Sequence, residues 1–289
     1  MPGMISICTA CTPWFPLLEL IPQLAAAGYQ GLELGVKPHL ADPAKPPNCW
    51  GNNHAVISID ALEAMLPGLE AALDRHRMKL AAIGSYHQAH EIATHRRLAA
   101  IARRLGCGVI RATIPAHDPA TGYARQLADL RTRWRELASL GAGEGVRFCI
   151  ELHDNSLTPS ASAAMRVLDG LPGSGCGVIL DAANTIAEGN EAMPMLVDIL
   201  GDALAHVHVK QRTMRRREQA INASLLEMPI TPLSEPGDVV WPAIIALLRS
   251  SGYRGWYSVE DFTRLDRPLE RLPSDASWLR ALLGQTGPP

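Results

Sequence analysis

The chain has 289 residues, 47% hydrophobic and 19% charged, with a formal net charge of -2. This balance suits a globular protein of one or two domains and excludes a disordered chain. It also gives no broad basic field for nucleic acid or an anionic membrane surface, and no run approaches the ~20 apolar residues that span a bilayer.

In chain order, the N-terminus lacks the basic start and apolar run of a secretory signal, so cytoplasm is the expected compartment. A strand over Met4–Cys8 leads to a helix over 14–27 that Gly28 closes, then a strand over 31–34. A Pro-, Gly- and Asn-rich stretch over 38–54 reads as a long loop. Helix Ile59–His76, strand 80–86, helix 91–105 and strand 109–114 follow. Tyr123, Leu127, Leu130, Trp134 and Leu137 fall on one helical face, ending near Gly141 and Gly143. Next come strand 146–152, helix 161–169, strand 177–180, helix 194–200 and strand Leu204–Val209. A long basic loop, a helix led by Pro242, strand 256–260 and helix 274–283 complete the chain.

Eight strands alternating with helices predict an α/β fold, a closed (β/α)8 TIM barrel spanning 1–289 as one domain. No Gly-x-Gly-x-x-Gly turn follows the first strand, which removes the usual dinucleotide-binding alternative. The six cysteines (8, 11, 49, 107, 149 and 176) read as free thiols. Cys8-Thr-Ala-Cys11 is only a weak redox motif, and nothing pairs with it as a structural zinc site.

In such a barrel the C-terminal ends of the strands build the site. The last four strands read "FCIELH", "VILDAAN", "HVHVK" and "YSVED". Side chains alternate faces along a strand, and the apolar residues in each take the helix-facing parity. Glu151, Asp181, His208 and Glu260 therefore point inward near one rim. Singly, each could be a polar group where a strand surfaces. Together, three carboxylates would repel unless a cation neutralised them, and one imidazole with three carboxylates suits Mn²⁺, Zn²⁺, Co²⁺ or Mg²⁺.

At these residues the chain resembles the xylose-isomerase-like TIM-barrel superfamily of sugar-phosphate isomerases and epimerases. The resemblance rests on "IELHDN", "VILDAAN", "HVHVK", "PLSEPGDVVWPAI" and "GYRGWYSVEDF" and covers nearly the whole chain. It implies metal ligands at Glu151, Asp181, His208 and Glu260, Mn²⁺ as the foremost ion, and Glu151 and Glu260 as the proton-handling pair. The implied reaction is isomerisation or epimerisation of a small keto-sugar or related polyol through an enediolate. A lyase acting on a keto-inositol or dehydroshikimate would use the same scaffold. A non-catalytic sugar-binding barrel is a different class of alternative. The related apurinic-site endonucleases need further His and Asp ligands, and Asn184 stands where many relatives have His, which argues against that reading.

Asn184 and Lys210 are candidate substrate contacts, as is His153, one inward step beyond Glu151. His206 lies deeper and reads as structural, His87 reads as a loop residue, and Glu33 is left open. Of Arg212, Arg215, Arg216 and Arg217, at most one is expected to act in the site. Trp14 and Phe15 fit a pocket wall or the core equally well. The expected partner is a small sugar or polyol, with neither nucleic acid nor membrane, and a homo-oligomer is compatible with the sequence.

Overall fold

The computed structural model describes residues 3–285 apart from 39–41, 43, 222–223 and 266, so part of the loop expected over 38–54 lies outside the described residues. Eight parallel strands close into the expected barrel. They are β1 (Met4–Cys8), β2 (Gly31–Val36), β3 (Lys79–Gln88), β4 (Val109–Thr113), β5 (Arg147–Glu151), β6 (Cys176–Asp181), β7 (Leu204–Val209) and β12 (Trp256–Val259). Closure comes from β12, which pairs with β1 on one side and β7 on the other.

Around them lie α1 (Leu17–Ala27), α2 (Ile59–His76), α3 (Ile92–Arg104), α4 (Tyr123–Glu144) and α5 (Ala161–Leu168), then α6 (Ala182–Asn184), α7 (Met193–Leu200), α8 (Trp241–Ser250) and α9 (Pro268–Leu282). Local chemistry sets their ends. Ser58 accepts the Ala61 N–H to cap α2, and Ser160 does the same for Ala163 at α5. Gly28, at φ 95°, closes α1 in the left-handed region that favours glycine. Gly175 packs so closely on the α4 backbone at Ala138 that no side chain would fit, which lets that helix approach the start of β6.

Alternation along the strands separates two environments. Ile5, Ile7, Phe148, Ile150, Val178, Leu180, Val207, Val209, Tyr257 and Val259 belong to the apolar layer packed with the helices. Each such burial contributes roughly 1.5–3 kcal/mol. The intervening positions carry Ser6, Ser258, His206 and His208, all buried within the barrel.

Several local expectations are corrected. The basic segment after β7 is not a plain loop. There β8 (Gln211–Arg212) pairs with β11 (Ile230–Thr231), and β9 (Arg215–Ile221) forms an antiparallel ribbon with β10 (Ser224–Glu227). Its side chains are mostly exposed, so no apolar alternation marked it in the sequence. His87 lies inside β3 rather than in a loop, because that strand runs two residues further than its apolar core. The first helix starts at Leu17, after Pro16, and α9 starts six residues earlier than expected, at Pro268, where a proline suits a first turn. Among the described residues all six cysteines are free and buried, and burial pushes the Cys8 and Cys11 thiols well up, the opposite of an activated redox pair.

Candidate metal centre

Neighbouring positions around one arc of the barrel put the ends of β5, β6, β7 and β12 on a common rim. Register sets Asp181 on β6 beside His208 on β7, and Ser258 on β12 on the other side of His208. Glu151 is the last residue of β5, and Glu260 directly follows β12. One donor atom from each of Glu151, Asp181, His208 and Glu260 lies within 4.8 Å of the others, and all four residues are buried. From His208 Nδ1 the distances are 3.0 Å to Glu151 Oε1, 3.6 Å to Glu260 Oε2 and 4.0 Å to Asp181 Oδ2.

The other face of that imidazole is also fixed. His208 Nε2 lies 3.1 Å from Glu33 Oε2, and His206 Nε2 lies 3.0 Å from the same oxygen. A carboxylate behind a histidine in this way orients the ring and makes its free nitrogen a better ligand. Glu33 therefore belongs to the site's support, and the deeper His206 is its second partner.

The protonation pattern follows from these contacts. Burial alone would raise Glu33, but His208 and His206 hold its carboxyl well below the usual range. Burial would likewise raise Glu151, and Arg111 at 2.5 Å, followed by His208, overrides it and holds the group well down. Burial works against charge on His208, yet Glu260, Glu33 and Glu151 outweigh it and raise its pKa well above the ordinary value. Ligation through Nδ1 would thus release a proton.

The donor set fits a divalent ion. Glu33, Glu151, Asp181 and Glu260 are buried carboxylates, offset nearby by Arg111 and Lys210. A doubly charged ion held through a neutral His208 balances the remainder. Oxygen donors with one imidazole suit Mn²⁺, Zn²⁺, Co²⁺ or Mg²⁺.

Residues 21–282 match the family described as xylose isomerase-like TIM barrel. The chain belongs to that family. It is 25% identical over 270 residues to the rhizopine catabolism protein MocC of Rhizobium meliloti, covering 85% of this chain and 74% of that one. Two solved structures share the fold over nearly their whole lengths. IOLI protein with a bound zinc atom is 15% identical at a TM-score of 0.73, covering 99% of each chain. The 3-keto-D-glucoside 4-epimerase YcjR from E. coli is 15% identical at a TM-score of 0.71, covering 96% of this chain and 99% of its own. At such identities these structural likenesses show the fold. Among the described residues no helix is long and apolar enough to cross a membrane.

In this xylose isomerase-like barrel the remaining candidates separate clearly. Lys210 is buried, with Nζ 2.6 Å from Asp181 Oδ2 and 2.9 Å from Glu260 Oε2. Burial disfavours its charge, but Asp181 and Glu260 raise its pKa overall. Asn184 is buried, and its Oδ1 accepts from Arg212 Nη2 at 2.8 Å. The same Arg212 atom lies 2.9 Å from Asp154 Oδ2, so Arg212 is the basic-segment arginine that reaches the mouth. His153 lies past the end of β5, half exposed, and donates from Nδ1 to the Asp154 carbonyl at 2.6 Å. It lines a cavity of about 450 Å³ with Tyr86, Arg111, Thr113, Glu151 and Asn155. His87 pairs with Glu91 at 2.7 Å and takes no part in the four-residue cluster. Trp14 faces Arg271 at 5.2 Å.

Arg111 is the residue that the strand-end comparison missed. It sits mid-strand on β4, between Ile110 and Ala112, both of which belong to the outer apolar layer. A lone arginine at inward parity in "VIRAT" was the available signal, because a buried guanidinium needs an acidic partner.

Proposed function

We propose that the protein is a divalent-metal-dependent isomerase or epimerase of a small keto-sugar or related polyol, with the chain acting as one barrel. The observation that carries this reading is the buried convergence of Glu151, Asp181, His208 and Glu260 beside a cavity of small-molecule size. An ion held by these four residues would supply Lewis acidity to a substrate carbonyl. Glu151 and Glu260 approach from different strands, so one removes the proton on the adjacent carbon while the other returns a proton. Returning it to the opposite face inverts the centre, and returning it to the neighbouring carbon moves the carbonyl when the hydroxyl proton passes to the former carbonyl oxygen. Asn184 and Lys210, whose Oδ1 and Nζ lie 3.5 Å apart beside the cluster, orient substrate hydroxyls, with His153 on the cavity wall. Mn²⁺ is the proposed ion, with Zn²⁺, Co²⁺ and Mg²⁺ as alternatives that the same donors accept.

The test is proton exchange. Protein loaded with Mn²⁺ is incubated in D2O with keto-sugars, inosose-type ketones and their phosphates, and deuterium incorporation is followed by NMR. Deuterium at the carbon next to the carbonyl, with an epimerised or isomerised product, is expected. Glu260→Gln should lower that rate by about 10³-fold or more. A dehydrated, ultraviolet-absorbing product would assign the lyase chemistry instead. Retention of the full rate in Glu260→Gln would remove Glu260 from proton transfer.

A further inference from the structure

Lys210 has two demands on it that cannot both be met in full. Its Nζ contacts Asp181 Oδ2 at 2.6 Å and Glu260 Oε2 at 2.9 Å. Those are the same oxygens that face His208 Nδ1, at 4.0 Å and 3.6 Å. The ammonium thus holds two of the four donors through the atoms that would face an ion. A divalent ion sits about 2.0–2.6 Å from its oxygen ligands, which would place it within a few ångströms of Nζ. Like charges at that spacing, in a buried site, repel strongly.

We propose that Lys210 is a resident counter-cation of the metal-free site that yields when a divalent ion enters, so that ion binding hands a free ammonium to the substrate pocket. The inference rests on the metal-dependent reading above. The surroundings provide the second position. Asn184 Oδ1 lies 3.5 Å from Nζ and is a neutral acceptor. The Phe262 ring lies 5.8 Å from Nζ and is itself covered by Trp50, stacked at 4.6 Å. Trp241 Nε1 holds the Lys210 carbonyl at 2.9 Å, so the swing assigned to Lys210 is one of its side chain. Two acids outside the four donors are already paired, Asp154 with Arg212 at 2.9 Å and Glu33 with His206 at 3.0 Å. The displaced ammonium therefore shares the Asn184 amide oxygen with Arg212 Nη2, which lies 2.8 Å from it, and an electron-rich oxygen of a bound substrate becomes its best partner.

The experiment compares full-length wild type with Lys210→Met, both stripped with chelator, by calorimetric titration with MnCl2 and by thermal melting with and without the ion. Lys210→Met should bind Mn²⁺ about tenfold or more tightly, because the competing charge is gone. In chelator it should melt roughly 5 °C lower, because the carboxylates lose their counter-charge. Unchanged or weaker Mn²⁺ binding by Lys210→Met would overturn the proposal and make Lys210 a support of the bound ion. If Lys210→Met does not fold without metal, the metal-loaded variant is challenged with chelator instead. Slower loss of Mn²⁺ than from wild type supports the competition, and equal or faster loss rejects it. Should wild type take up no divalent ion, the metal-dependent reading falls on its own. The chelator melts then decide the counter-cation role alone, with equal melting of the two proteins rejecting it.

Discussion

The two halves of the barrel contribute to the mouth in different ways. From β5 to β12 the strand ends deliver Glu151, Asp181, His208 and Glu260 to one point. From β2 to β4 the inward charges are Glu33 and Arg111, and neither belongs to that cluster of four. They grip it instead: Glu33 crosses the barrel to both histidines of β7, and Arg111 pairs with Glu151 on the adjacent strand. The later half supplies donors and the earlier half holds them in place. A site of four like-minded donors is unstable by itself, so the neutralising and orienting groups are as much a part of it as the donors.

That division of labour can be broken most severely at Arg111. Arg111→Met leaves Glu151 buried without its guanidinium and should cost about 3–5 kcal/mol of unfolding free energy, measured in denaturant. A loss below about 1 kcal/mol would mean that the earlier half does not support the site. The next largest effect separates the mouth from the outer layer. His95 on α3 is buried, and burial lowers its pKa to about 4 while it donates to the Gln88 carbonyl at 3.0 Å. A histidine held neutral in the fold contributes stability that is fully present above its unfolded value near 6.5 and is lost as pH falls toward 4. Up to about 3 kcal/mol should disappear across that window, and His95→Asn should flatten the slope in urea titrations at stepped pH. An unchanged slope would move the acid sensitivity to the mouth.

A subtler probe is Glu33→Gln, which keeps the shape but removes the charge behind His208. Mn²⁺ affinity should fall by about 10–100-fold in titration calorimetry while the chain stays folded. If affinity does not change, Glu33 serves packing alone. The smallest effect is expected on the ribbon. Arg216 is exposed on β9, and Arg216→Gln should change the deuterium-exchange rate by no more than about twofold. A large loss there would extend the functional surface out to the ribbon and end the picture of a site confined to two halves of one barrel.

Much of this protein could be read from the chain itself. Helices and strands with one apolar face announce their period, so eight alternating βα units followed from spacing, while an open doubly wound sheet fits the same alternation and the pairing of β12 with β1 is what closes the barrel. Glu151, Asp181, His208 and Glu260 could be found together because each sits at a strand end and takes the inward parity, opposite to the helix-facing apolar residues around it. The ribbon of β9 and β10 escaped because it buries almost nothing on either face. What only the tertiary structure decided is which charges meet across the barrel. Glu33 and His208 are 175 residues apart, and Arg111 and Glu151 are 40 apart. A lone charge in an apolar strand says that a partner must exist, but closure of the cylinder chooses the partner. The contest between Lys210 and an ion for the same oxygens exists only once Asp181 and Glu260, on strands that are not neighbours in the sheet, are brought within reach of one ammonium.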